Sequence, residues 1–335
     1  MTKTSNPFLE QLSQALAQQA QAARAFTAEI RSGDSRFASG LLWRPEIVIT
    51  SEQTLEKADS YTVTIAGAAP IRATLAGRDP GTNVAVLKLE TAAPGAVLEA
   101  AEPVAGSLAL AFGADGHGGV AAHLGTVSAV TPEWRSRAGG RIDRRIALDL
   151  ALAENQDGGP VLDASGALIG MSTLGHHGAV LVIPPVTLAR SVEMLLQHGR
   201  VERGWLGVAL QPVAVPEEMR ASAGQDSALM VMNADKDGPA AAAGIAMGDV
   251  LLQIDGVPLD GMHALSDRMG PDSVGKQVQV KLIRAGAILS VTATIAARPA
   301  AAQDSSRMSE RWREMASRHH RHHHHHHRGD HRHGC

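Results

Sequence analysis

The chain has 335 residues, which at about 100 to 200 residues per domain predicts two or so domains, each long enough to bury its own core. Apolar residues make up 44% and charged residues 19%, a balance that excludes a disordered chain or a membrane-embedded one. The formal charge of −3 excludes a global polyelectrolyte attraction to nucleic acid, so no specific nucleic-acid partner is expected.

Residues 8 to 30 carry Leu9, Leu12 and Leu16 at helical spacing among Gln and Ala, which predicts an amphipathic helix within residues 1–34. From Phe37 to Pro184 the pattern changes to short apolar or alternating runs cut by Gly, Pro and Asp. Strands are predicted over 39–42, 47–50, 61–65, 71–77, 84–89, 108–112, 124–130, 145–150, 168–172 and 179–183. That many short strands at regular spacing predicts an antiparallel sandwich or barrel over 35–184. Val186 to His198 has a helical period with Gly199 as its C-cap, and forms a connector over 185–202. A second unit follows over 203–298, with strands at Leu206, Val208, 229–232, 250–254 and 278–283. Helices are predicted there over 239–243 and 262–269. Residues 299–335 turn to Ala, Gln and Ser and then to Arg and His, a composition with no means of forming a core.

Cys335 is the one cysteine, so no internal disulfide demands an oxidising compartment. The opening residues lack the apolar stretch of a secretory signal, and no run approaches the roughly 18 apolar residues of a membrane span. A cytoplasmic protein is the resulting expectation.

Three segments of the β-rich unit, IVITSEQTLEKADSYTVTI (47–65), GRDPGTNVAVLKLE (77–90) and LDLALAENQDGGPVLDASGALIGMST (148–173), together resemble the HtrA/Deg family of trypsin-like serine proteases. The first is similar to the family's T-x-x-H-V segment, the second to its G-R-D-P-x-T-D-L-A-V-L segment, and the third to the segment containing G-N-S-G-G-P. The resemblance implies a mainly β fold, a chymotrypsin-like double β-barrel, with the triad in the order His, Asp, Ser. At the matching positions this chain has Gln53, Asn83 and Asp157, and Asn155 stands where the family has the glycine of the oxyanion loop.

Each replacement removes a different function. A serine protease needs a hydroxyl nucleophile, an imidazole to take and return its proton, and a carboxylate to orient that imidazole. The Gln53 amide does not titrate, so it is no general base. Asn83 is nearly isosteric with aspartate but uncharged, a substitution that costs about 10⁴ in rate in the archetypal triad. Asp157 attacks an amide poorly and puts negative charge where the oxyanion forms. Asn155 adopts a left-handed φ less freely than Gly, so a distorted oxyanion loop is expected. Ser51, Ser172, His123 and His176 are the nearby groups that a relocated site would draw on. Ser51 and Ser172 are read as strand-end hydroxyls with no base in sequence reach.

RGWLGVALQPV (203–213) and DGPAAAAGIAMGDVLLQIDGVPL (237–259) resemble the PDZ domains (α+β) that follow HtrA proteases. The resemblance implies that Trp205, Leu206 and Gly207 present backbone N–H groups to a peptide's terminal carboxylate. The peptide then adds a strand beside Val208 to Leu210. Met230, Met232, Met262 and Met269 are candidates for its side-chain pocket or for plain core.

The tail packs ten of the chain's sixteen histidines into its last seventeen residues. His322, His323, His324, His325, His326 and His327 are candidate ligands for Zn²⁺, Ni²⁺ or Cu²⁺, with Cys335 as an added thiolate. Adventitious chelation by a native tail and a purification tag are the competing readings, and no cofactor is required by the fold.

The functions these features imply are, first, an HtrA-like pseudoprotease binding peptides or misfolded proteins as chaperone, adaptor or regulator. The alternatives are a serine endopeptidase with a relocated site and a metal-binding protein acting through its tail. By family resemblance the chain is expected to form a homo-oligomer, a trimer, to which Phe8 to Ile30 contributes.

Overall fold

The computed structural model describes residues 6–299 except 34–35, 66, 96–97 and 137. Helix α1 (Pro7–Ala23) is capped by Asn6, whose side chain accepts from the N–H groups of Phe8 and Leu9 at 3.1 and 3.4 Å. Pro7 opens it, where a missing N–H costs nothing. The helix ends short of the expected Ile30, because Thr27–Arg31 forms strand β1 instead. Period 2 wins over period 3.6 there: Ala28 and Ile30 are both buried in the barrel, and the Thr27 hydroxyl donates to the last helical carbonyl, Ala23, at 2.8 Å.

Strand β1 is the seam of the first barrel. It pairs antiparallel with β2 (Phe37–Arg44) on one side and β4 (Tyr61–Ile65) on the other. With β3 (Ile47–Ser51), β5 (Ile71–Asp79) and β6 (Val84–Leu89) the ring closes in the order β1-β2-β3-β6-β5-β4. Closure removes both sheet edges, and the interior is filled mostly by aliphatic side chains such as Ile30, Leu41, Ile49, Val63 and Leu87, with Tyr61 among them.

A second barrel is built from β7 (Leu108–Ala114), β8 (Val120–Thr131), β11 (Arg145–Asp149), β12 (Pro160–Leu162), β13 (Leu168–Leu174) and β14 (Val180–Ile183), in the order β11-β14-β13-β12-β7-β8. A small ribbon of β9 (Trp134–Arg135) and β10 (Arg141–Ile142) stands outside it. The expected strands fall inside these two rings, and β1 and the short β12 are additions to them. Helix α2 (Pro185–His198) buries Leu188, Val192 and Leu195 against the barrels, and Gly199 ends it at φ +69°, as its C-cap role requires.

The described residues from Glu202 to Pro299 form a second compact unit. A short pair of β15 (Gly204–Trp205) and β22 (Ala296–Ala297) joins its ends. Its main sheet runs β16 (Val208–Ala214), β17 (Ser227–Ala234), β18 (Val250–Ile254), β20 (Gln277–Arg284), β21 (Ala287–Thr294), with β19 (Val257–Pro258) on β18. Helices α3 (Glu217–Ala223), α4 (Pro239–Ala242) and α5 (Met262–Arg268) flank it. Strand β16 is an edge, and Pro212 within it fits that position, because a residue without an N–H is confined to sheet edges and bulges. Buried Asp249 binds Arg284 through both carboxylate oxygens, at 2.8 and 2.7 Å. Burial raises its pKa, but Arg284 and the Ala246 N–H outweigh that and hold it below the usual carboxylate range.

Backbone packs on backbone within the second barrel, where the chain entering β12 runs beside β7. A Cβ on Gly159 would overlap the carbonyl oxygen of Phe112, whereas one on Gly175 would meet the Ala179 carbonyl oxygen at an ordinary 3.4 Å. Gly159→Ala should therefore lower stability in urea unfolding by about 1–3 kcal/mol, the cost of overpacking. Gly175→Ala should change it by less than about 1 kcal/mol.

Candidate functional site: a polar cluster between two barrels

The three sequence-distant positions Gln53, Asn83 and Asp157 come together at the junction of the barrels. Asp157 follows a 3-10 turn, Glu154–Gln156, and its side chain is fully buried. Its Oδ2 accepts from Gln53 Nε2 at 2.6 Å and from Ser51 Oγ at 3.0 Å. Gln53 Nε2 spends its other hydrogen on the Leu174 carbonyl at 3.0 Å. Both neighbours of this nitrogen are acceptors, which fixes the orientation of the amide.

Asn83 completes the group. It holds φ +58°, a left-handed value that Asn tolerates. Its Oδ1 accepts the Gln53 backbone N–H at 2.8 Å, and its Nδ2 donates to Ser51 Oγ at 2.9 Å and to Thr173 Oγ1 at 2.7 Å. Arg78 fixes the loop that follows β3 by donating to the carbonyls of Glu52, Leu55 and Glu56 at 3.2, 2.8 and 2.9 Å.

Thr173 is the member that sequence reasoning missed. Ser51 ends β3, as a strand-end hydroxyl was expected to, but its Oγ also touches the Asp157 carboxylate, a partner beyond sequence reach. Ser172 behaves as expected of a structural hydroxyl, buried with its Oγ 3.3 Å from the Gly159 carbonyl. His123 bonds Gln156 through Nε2 at 2.7 Å.

The chemistry available here is that of a carboxylate held by amides and hydroxyls. Asn155 lies in the 3-10 turn without a left-handed φ, and its carbonyl accepts from Ser39 Oγ at 2.6 Å. The Asp157 N–H, at the nucleophile position, donates back to the Glu154 carbonyl at 3.3 Å, inside the same turn. That N–H is spent internally rather than aimed at an oxyanion. Ser51, the hydroxyl beside the Asp157 carboxylate, is 0% exposed.

Burial dominates the electrostatics of Asp157. Desolvation pushes its pKa up to about 6, against lowering by the Gln53 and Ser51 hydrogen bonds and by the backbone at Leu174 and Gly158. Oδ1 is buried with no partner at hydrogen-bond distance, which leaves desolvation the larger effect.

In the second unit Leu206 is buried, Trp205 is half-buried, and Gly207 takes φ +75° beneath the Trp205 ring. Val208 and Leu210 of β16 pack on the same core cluster as Ala264, Leu265 and Met269 beside α5, while the other edge of β16 carries no strand. The four methionines separate: Met269 packs on the core, Met230 is half-buried, and Met232 and Met262 are 46% and 43% exposed. His322, His323, His324, His325, His326, His327 and Cys335 lie outside the described residues. Among the described residues no cluster of His, Cys, Asp or Glu has a metal-holding arrangement.

A carboxyl whose pKa is higher folded than unfolded makes the folded state bind more protons between the two values, so stability falls as pH rises through that window. For Asp157 the window runs from the ordinary 3.8 to about 6. Between pH 5 and pH 8 this contributes a loss of about 1.4 kcal/mol. Urea unfolding of wild type and Asp157→Asn at both pH values should show that increment in the wild type alone.

Comparison with known proteins agrees with this architecture. Residues 38–171 match the trypsin-like peptidase domain model and residues 204–295 the PDZ domain model. A probable periplasmic serine endoprotease, DegP-like, of Brucella suis biovar 1 (strain 1330) is 31% identical over 272 residues, covering 75% of this chain and 50% of that protein. One of the same name from Halomonas elongata is 30% identical over 263 residues, 74% of this chain and 53% of its own. The chain thus spans about half the length of the curated relatives it matches. Among solved structures, the HtrA-type protease AlgW with decapeptide superposes with a TM-score of 0.67 at 26% identity, over 85% of this chain and 99% of that one. The serine endoprotease from Yersinia pestis gives 0.68 at 25%, over 85% and 98%. The relatives' names place them in the periplasm, which overturns the cytoplasmic expectation. That expectation leaned on the single cysteine, and barrels that bury their own cores need no disulfides in any compartment. No helix among the described residues is long and apolar enough to cross a membrane. The chain carries a trypsin-like serine protease domain of the HtrA/DegP family followed by a PDZ domain.

Proposed function

We propose that this chain is an HtrA-like pseudoprotease of the periplasm, which holds polypeptides without hydrolysing them and serves as a chaperone, adaptor or regulator of active homologues. The observation that carries this reading is the Asp157 carboxylate itself: buried, bonded to the Gln53 amide, with its own N–H turned back on Glu154. An acyl transfer at this point would need a nucleophile, a base and an oxyanion donor, and each of the three places is taken by a group of the wrong chemistry. Restoring one alone gains little, because triad members act as a unit.

Polypeptide capture is assigned to the PDZ domain. Its support is the left-handed Gly207 loop leading into the open edge of β16, a geometry suited to a terminal carboxylate followed by an added strand. Trp205, Leu206, Gly207, Val208 and Leu210 are the residues assigned to it. Assembly into homo-oligomers follows the HtrA neighbours.

Two measurements test the proposal. Casein should stay intact with the purified chain, and a serine-reactive phosphonate should leave it unlabelled; robust labelling would defeat the reading. The quadruple variant Gln53→His, Asn83→Asp, Asn155→Gly, Asp157→Ser should gain labelling if the barrels are otherwise competent. For the PDZ domain, fluorescence anisotropy with peptides ending in an apolar residue should show binding that falls about tenfold or more when the terminal carboxylate is amidated, the loss of a charge-assisted contact.

A further inference from the structure

The members of the polar cluster come from both barrels. Ser51, Gln53 and Asn83 belong to the first, and Asp157, Thr173 and the Leu174 carbonyl to the second. Four hydrogen bonds therefore cross the junction within one group of side chains: Ser51 and Gln53 to Asp157, Gln53 to Leu174, and Asn83 to Thr173. A second crossing lies nearby and contains no titratable atom. Ser39 Oγ, from the first barrel, donates to the Asn155 carbonyl at 2.6 Å and accepts the Ala114 N–H at 2.8 Å. The Ser39 pin is indifferent to protons, whereas the polar cluster is built around a carboxyl.

We propose that Ser51, Gln53, Asn83, Asp157 and Thr173 form a proton-operated clasp between the two barrels, tight when the Asp157 carboxyl is protonated and loosened when it ionises. This goes beyond the proposed function and stands on the contacts alone, whether or not the PDZ domain captures peptides.

The direction follows from the surroundings of Asp157. Oδ2 has two donors, Oδ1 has none at hydrogen-bond distance, and both atoms are buried, so the ionised form is only partly satisfied. Among the described residues no cation pairs with it in a salt bridge. On the first-barrel side, the charged neighbours along the chain are Glu52 and Arg78, which pair with each other at 3.6 Å, and Asp79, bonded to Thr82 at 2.6 Å. On the second-barrel side the charged neighbour is Glu154 in the preceding turn, and the further titratable groups are His123, bonded to Gln156, and His176 and His177 in the turn after β13. Parting the barrels hydrates the carboxylate, and hydration favours the ionised form, so proton release and opening are linked.

Hydrogen exchange of the full chain at pH 5 and pH 7.5, corrected for the intrinsic pH dependence of exchange, tests the clasp. Peptides covering 51–56 and 154–160 should lose protection by about tenfold from the lower to the higher pH, the ratio expected when an open state with an ordinary carboxyl competes with the closed one. Peptides from β20 and β21 serve as the internal reference and should not change. In Asp157→Asn the tenfold loss should vanish, and Asp157→Ser provides the same comparison should the first variant fold poorly. Ser39→Ala should lower protection equally at both pH values. Protection in the wild type that does not depend on pH, or a tenfold loss that persists without the carboxyl, overturns the proposal.

Discussion

Ring closure by backbone hydrogen bonds is the constraint from which the amino-terminal unit follows. A six-strand ring has no free edge only if its last strand finds its first, and in the first barrel the closing piece is β1, paired on both sides. That requirement explains why α1 stops at Ala23 although Gln and Ala favour its continuation. Closure also fixes where β3 and β6 end, and those two ends deliver Ser51, Gln53 and Asn83 to one place. The second barrel brings Asp157 there from a turn whose glycines admit no side chain.

Polar groups buried between two closed barrels have to satisfy one another. In this cluster the amide of Gln53 and the hydroxyls of Ser51 and Thr173 do so, and one carboxylate oxygen is left over. A residual scaffold whose chemistry had been erased would have had every reason to become apolar. Here the cluster is polar, connected and cross-linked over the junction, and such networks specify a unique arrangement more than they add stability.

Much of this was legible from the residues. The alternating run of 61–65 and the apolar run of 84–89 became strands with the same bounds, the first with one face to a core and the second buried on both faces along most of its length. Gly199 marked the end of α2 through a conformation that only Gly adopts freely. The three ordered motifs indicated that Gln53, Asn83 and Asp157 would share a site, and they do. What was hidden depends on partners remote in sequence. Thr27–Arg31 reads as the continuation of a helix until β2 and β4 are present to pair with it. Strand β12 is too short to show a period, and Ser51 acquires meaning only once Asp157 arrives from 106 positions away. Burial likewise cannot be read from composition, so the abnormal acidity of Asp157 was invisible.

The proline in β16 has a bearing on solubility. An open sheet edge is a template on which any extended chain can grow, including a second copy of the same sheet. Pro212 interrupts that template after Gln211, since it has no N–H to offer. The edge therefore presents an unbroken ladder of donors and acceptors only from Val208 to Gln211, enough for a short segment and too little for sheets to propagate end on end.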